Sequence, residues 1–258
     1  MIEVKNVCKS FDEVPVLKNV STVFETGKTN LIIGKSGSGK TVLMKCVVGI
    51  HSIDSGEISY DGRDITKMRR KERNFFRREM GMLFQGSALF DSMTVLENVL
   101  FPLEMFSYDS EAERKKRAIF CLERVNLSHA LDLYPSEISG GMQKRAAIAR
   151  AIVLNPRYLF CDEPNSGLDP LTSILIDKLI QEITHEFNIT TVINTHDMNS
   201  VMEIGENIVF IDKGEKAWQG SKDEIYHTGC EVLEEFVFAS DLYKKVKKAH
   251  RKVDGIEK

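Results

Sequence analysis

A chain of 258 residues, 42% hydrophobic and 28% charged, has enough apolar surface to bury a core without disulfide or metal staples. Its formal net charge of −3 gives no global basis for holding nucleic acid. No stretch approaches the roughly 18–20 continuous apolar residues that cross a bilayer and no secretory leader opens the chain, so a membrane function requires a separate membrane partner.

Short strands open the chain at Ile2–Val7 and Val16–Phe24. The apolar run Thr29-Asn30-Leu31-Ile32-Ile33 reads as a buried parallel strand. Directly after it, Gly34-Lys35-Ser36-Gly37-Ser38-Gly39-Lys40-Thr41 fits G-x-x-x-x-G-K-[ST]. Val42, Leu43, Cys46, Val47 and Ile50 then carry helical apolar spacing. A glycine-rich loop between strand and helix turns successive N–H groups inward at an anion, and the helix N-terminus adds partial positive charge. Lys40 is placed to reach β- and γ-phosphates and the Thr41 hydroxyl to ligate Mg²⁺.

Glu57–Asp61 and Gly81–Phe84 follow as strands, and Gln85 ends the second, where its amide can touch both a metal shell and an attacking water. Before it, Lys67, Arg69, Arg70, Lys71, Arg73, Arg77 and Arg78 form a basic cluster, either a solvated helix face or a contact for anionic headgroups or a membrane subunit. From Thr94 to Leu133 the pattern is helical, as in Ala118, Leu122 and Val125. Ser139–Leu154 is a long helix entered through Ser139-Gly140-Gly141, whose N–H groups and dipole suit an anion.

Arg157–Glu163 reads as a buried strand ending in two carboxylates. Neighbouring strand residues face opposite ways, so the two acids divide their roles. Asp162 is the hard-oxygen ligand for Mg²⁺, and Glu163 the general base for the attacking water. His196 follows the strand Thr190–Thr195, at the carboxyl edge where open α/β sheets bind ligands, and is assigned a γ-phosphate contact. The cysteines Cys8, Cys46, Cys121, Cys161 and Cys230 show no C-x-x-C spacing and read as reduced, mostly buried thiols of a cytoplasmic protein. Glu231–Ala249 has helical spacing (Val232, Phe236, Ala239, Tyr243), and a lysine-rich tail runs from Lys244 to Lys252; it either packs on a neighbour or is disordered.

Over roughly residues 2–230 this pattern resembles the nucleotide-binding subunit of ABC transporters. The resemblance implies an α/β P-loop NTPase cassette with a parallel core sheet, a small N-terminal antiparallel β subdomain and an inserted α-helical subdomain. The cassette spans 1–230, with the helical subdomain at about 94–154, and residues 231–258 form a helical, basic C-terminal tail. Glu57–Asp61 and Gly81–Phe84 are assigned to the parallel core. Lys40 and Thr41 match the Walker A positions, Asp162 and Glu163 match Walker B and the catalytic glutamate, Gln85 the Q-loop glutamine and His196 the switch histidine. Ser166-Gly167-Leu168-Asp169 matches the D-loop, and Ser139-Gly140-Gly141 the signature that addresses ATP held by a second copy.

Two positions depart from the family pattern. Met142 stands where the signature usually continues with glutamine, and Phe11 replaces the usual adenine-stacking tyrosine, keeping the π-face but losing the hydroxyl. Gly81–Phe90, Met93–Val99, Phe101–Leu103 and Ile138–Met142 followed by Lys144–Ala147 are similar to the ATPases of MCE-associated, Mla-type lipid transporters. The resemblance implies ATP and Mg²⁺ as cofactors and a homodimer on the cytoplasmic side of the inner membrane. The implied partners are integral permease subunits and an MCE-domain lipid-binding protein, with no nucleic acid. The alternative cargoes are amino acids, metals or lipoproteins. A soluble ATPase of translation or DNA repair, or a non-hydrolysing ATP sensor, fits less of the pattern.

Overall fold

The computed structural model describes residues 1–239. The stretch Lys244–Lys252, and the part of the expected C-terminal helix beyond 239, lie outside the described residues. The chain divides into two compact units: residues 1–25, 29–66 and from 194 onward in the first, and 26–28 with 67–193 in the second.

The first unit opens with β1 (Ile2–Phe11) and β2 (Val14–Phe24), followed by β3 (Thr29–Ile33), α1 (Lys40–Val47), β4 (Ser55–Tyr60) and β5 (Arg63–Asp64). Asp12 and Glu13, with φ of 48° and 65°, make the two-residue turn between β1 and β2; two positive φ values match the right-handed twist of a hairpin. β1 pairs antiparallel with β2 on one side and with β4 on the other, giving the sheet order β2-β1-β4-β5. Ile2, Val4 and Val7 point into its core together with Val20, Phe24, Ile58 and Tyr60.

β4 corrects the sequence reading, which assigned Glu57–Asp61 to the parallel core. The strand pairs antiparallel with β1 through Ile2↔Tyr60 and Val4↔Ile58. The reason is local: Asp61 and Gly62 have φ of 47° and 80°, so the Asp-Gly pair reverses the chain into β5 within two residues. A parallel partner would instead need a long crossover.

In the second unit come α2 (Arg70–Phe76), β6 (Met80–Leu83), α3 (Val95–Phe106), α4 (Glu111–Arg124), α5 (Gly140–Ile152), β7 (Tyr158–Asp162), α6 (Pro170–Glu186) and β8 (Thr190–Asn194, its last residue belonging to the first unit). β6 runs parallel to β7, from Met80↔Tyr158 to Leu83↔Cys161, and β8 lies on the other side of β7. The helical stretch expected from Thr94 to Leu133 is broken into two. Thr94 and Glu97 form a capping box at the start of α3, and Ser110 and Glu113 form another at α4. Asn98, fully buried on α3, donates to the carbonyls of Phe90, Met93 and Thr94 and accepts from Phe90 N–H, which fixes the loop before the helix. The basic cluster is largely a solvated face, with Arg69, Arg70, Lys71 and Arg77 exposed.

The chain then returns to the first unit with α7 (Met198–Ile204), β9 (Asn207–Asp212), β10 (Glu215–Gly220) and α8 (Glu231–Val237). β3 runs parallel to β9, and β10 pairs antiparallel with β9. All five residues of β3 are buried, as expected of a parallel strand covered on both faces. Its buried Asn30 accepts from Asn207 Nδ2 at 2.7 Å and donates to Glu25 O, so the amide is paired rather than stranded in the core. Among the described residues no helix is long and apolar enough to cross a membrane.

Candidate functional site

The cradle forms where β3 ends and α1 begins. Gly34 has φ of 149°, and a Cβ there would lie 2.2 Å from the Ile211 carbonyl oxygen, so no other residue fits this turn. Gly39 caps α1 with φ of 107°. Lys40 is nearly buried and its Nζ donates to the carbonyls of Gly34 and Lys35, at 2.8 and 3.1 Å, which draws the ammonium across the loop. Lys35, Ser36 and Gly37 are exposed at the lip. Ser38 Oγ is buried beneath it with no hydrogen-bond partner. An orphaned buried hydroxyl costs about 1–3 kcal/mol, and a bound oxyanion supplies the missing acceptor.

Thr41 Oγ1 accepts from Asn194 Nδ2 at 3.1 Å. That bond uses one lone pair of the hydroxyl and orients the rest. Thr195 N–H donates to Ile32 O, which joins the end of the β8 run to β3, and His196 follows, exposed. Phe11 leaves about 40% of its surface open; His51 meets its ring edge-on at 5.3 Å and Lys9 Nζ lies 5.1 Å from its centroid.

The second unit holds the acids. β7 ends at Asp162, and Glu163 takes a left-handed φ of 50°, a conformation that costs a non-glycine residue about 1–3 kcal/mol and clusters at functional sites. Ser166 N–H donates to Glu163 O at 3.2 Å, and Ser166 Oγ accepts from Gln85 Nε2 at 3.2 Å. The glutamine amide is thereby tied to the loop that leaves Glu163, with its oxygen turned free of that bond. Asp169 caps α6 by accepting from Leu171 and Thr172 N–H, and the Thr172 hydroxyl bond holds its carboxyl below the usual range.

Ser139 caps α5, its Oγ accepting from Met142 N at 3.3 Å. The hydroxyl proton stays available for an incoming acceptor. Gly141 packs so tightly that a Cβ would lie 2.7 Å from Thr172 Cγ2, whereas one on Gly140 would meet only Leu168, at 3.7 Å. Gly141 is therefore required by packing and Gly140 leaves room for approach. A recess of about 630 Å³ adjoins this turn, with Arg124, Arg145 and Asp169 in its wall.

The donors assigned to a cation, Thr41, Gln85 and Asp162, are all hard oxygens. No group of three or more His, Cys, Asp or Glu suited to a metal occurs among the described residues.

Beside Asp162, the thiol of Cys161 is pushed far above the usual range by burial, then by the charge of Asp177. Cys46 and Cys121 are raised to about 11 by burial, and all five cysteines are free. The sequence reading missed three polar side chains that position the site. Asn194 was read only as strand. Arg150, its charge disfavoured by burial, donates to the carbonyls of Ser87 and Ala88 just after Gln85. Lys144, similarly disfavoured by burial, donates to the Gln85 carbonyl. The available signal was spacing: Lys144 falls in register with the buried Ala147, Ile148 and Ala151 on one helix face.

A family model described as ABC transporter matches residues 17–166. Among similar proteins, a methionine import ATP-binding protein of Clostridioides difficile is 37% identical, covering 92% of this chain and 74% of its own length. One from Haemophilus influenzae is 39% identical, with 92% and 70% covered. The dimeric structure of MJ0796, described as a bacterial ABC transporter cassette, superposes with a TM-score of 0.78 at 33% identity, over 86% of this chain and 99% of that one. CbiO1 from Clostridium perfringens, part of an ABC transporter complex, gives 0.83 at 28% identity over 97% and 98%. The cassette architecture expected from the sequence is borne out. The Mla-type subclass is not supported, since the two relatives from Clostridioides difficile and Haemophilus influenzae carry methionine-import names.

Proposed function

Because this chain belongs to the ABC transporter family, as an ATP-binding and ATP-hydrolysing subunit, we propose that two copies close head-to-tail around two ATP molecules and power a separate membrane permease. The observation that carries this reading is the pair of anion-seeking turns. The cradle buries the unpartnered Ser38 hydroxyl, and the α5 entrance presents the Ser139 hydroxyl and the N–H groups of a helix end. Lys40 and the cradle amides hold the β- and γ-phosphates, Phe11 stacks on the adenine, and Ser139, Gly140 and Gly141 address the nucleotide of the other copy. Thr41, Gln85 and Asp162 are the residues that would hold Mg²⁺, which would supply positive charge against the phosphates. Glu163 orients and deprotonates the attacking water, and His196 contacts the γ-phosphate.

Closure is within reach of such contacts. Shifting an open–closed equilibrium from 1:99 to 99:1 takes about 5.5 kcal/mol of differential binding. Shared by two nucleotides, that is under about 3 kcal/mol each, the scale of one or two charge-assisted hydrogen bonds.

The permease docks on the second unit, in a recess of about 540 Å³ floored by Met80, Met82, Phe84, Phe101 and Phe106. Arg78 stands at its rim, 5.3 Å from the Phe75 ring and 5.4 Å from that of Phe106. An apolar floor with a cationic rim suits a short amphipathic segment. The methionine-import names of the relatives support an amino-acid cargo. Phospholipid remains the second reading, favoured by Met142 in the signature and by the segments around Gln85. Co-purification with the membrane subunit and mass spectrometry of its bound molecule separate them. Methionine or a related amino acid supports the first, and a stoichiometric phospholipid overturns it in favour of the second.

A further inference from the structure

Lys144 is 4% exposed on the inner face of α5, and no ion pair with a carboxylate involves it among the described residues. Its Nζ donates instead to a neutral group, the backbone carbonyl of Gln85. Taking an ammonium out of water for one neutral acceptor is unfavourable, and an apolar side chain of similar length would serve packing better. The acceptor does not need the bond either, because Gln85 is exposed and its carbonyl can be solvated. A contact that neither partner requires for stability is explained by what it places.

What it places is the segment from Gln85 to Ala88. Lys144 holds the carbonyl of Gln85, and Arg150, less than two turns further along the same helix, holds those of Ser87 and Ala88 at 2.8 and 2.7 Å. Ser87 and Ala88 both keep left-handed φ values, 60° and 50°, so the segment is a strained turn clamped to α5 by two cationic side chains. From Gln85 the path continues through its amide to Ser166 Oγ, and from Ser166 N–H to the carbonyl of Glu163. At the other end, Lys144 lies one turn from Gly140 on a continuous helix capped by Ser139.

We infer that Lys144 is a positioning residue that couples the seating of an anion at the α5 entrance to the placement of Gln85, and through Ser166 to Glu163. Movement of the α5 N-terminus onto a phosphate carries Lys144 with it and shifts the glutamine amide relative to the loop that bears the base. The inference rests on the roles proposed above for Ser139 and Gln85.

The test is a double-mutant cycle on the purified full chain, read as steady-state ATP turnover, equilibrium ATP titration and thermal melting. Lys144→Met is expected to keep the melting temperature and to hold ATP affinity within about twofold, while lowering kcat at least about tenfold. In a Gln85→Ala background the same change is expected to alter kcat by less than about twofold, because residues that act as one unit are not additive. Full multiplicative loss in that background, or weakened ATP binding with kcat intact, overturns the inference and leaves the wider site standing. Gln85→Ala with undiminished turnover removes Gln85 from the site and the inference with it. If Lys144→Met does not fold, Lys144→Gln, which keeps a donor without the charge, enters the same cycle, and each outcome supports or overturns the coupling in the same way.

Discussion

Replacing Glu163 with glutamine is expected to lower ATP turnover by roughly 10²–10⁴-fold, the range for loss of a general base, while ATP affinity stays near that of the parent chain. The amide matches the carboxylate in shape, so the left-handed turn at φ of 50° and the Ser166 N–H bond to the Glu163 carbonyl are undisturbed. What is lost is the group that accepts a proton from water. ATP then still favours closure and is not consumed, so the variant accumulates as an ATP-bound dimer. Phosphate release under single-turnover conditions, with sizing in the presence of ATP, reads both effects. Turnover at the parent rate removes Glu163 from the base role.

Lys40→Ala is expected to act on binding instead. The ammonium makes two bonds to loop carbonyls, at 2.8 and 3.1 Å, and exchanges them for phosphate oxygens when the nucleotide enters. Bonds to a charged partner are worth about 1.5–3 kcal/mol each, against 0.5–1.5 for neutral ones. The net loss is therefore about 2–3 kcal/mol for two bonds, or roughly 30- to 150-fold in Kd. Equilibrium titration with ATP checks it directly, and an unchanged Kd would take Lys40 out of the phosphate site. The free chain should also melt at a lower temperature, since the nearly buried carbonyl of Gly34 loses a donor.

Much of this was legible in the sequence because the site is local. The cradle needs a strand, a glycine-rich loop and a helix in immediate succession, and Thr29–Ile33, Gly34 and Lys40–Val47 supply them in register. The Ser139 cap and the strand leading to Asp162 are equally short-range. Elements defined by distant partners were harder. Ser55–Tyr60 has the composition of any short strand, and its sheet is settled by pairing with Ile2–Lys5 more than fifty residues earlier and by the Asp61-Gly62 reversal, which was overlooked. Lys144, Arg150 and Asn194 were missed for the same reason, since their hydrogen bonds reach 59, 62 and 153 residues away. Cargo is less legible still, because under the proposed function it is chosen by another polypeptide.

Every functional step above depends on each ATP being completed by a second copy of the chain. Mixing a Ser139→Arg subunit with a Lys40→Ala subunit tests this most directly, with ATP turnover of the purified heterodimer as the readout. The account predicts one sound site per mixed pair, formed by Lys40 of one copy and Ser139 of the other, and hence activity well above that of either mutant alone. A mixed pair as inactive as its parents would show both elements acting on the same nucleotide within one subunit, and would contradict it.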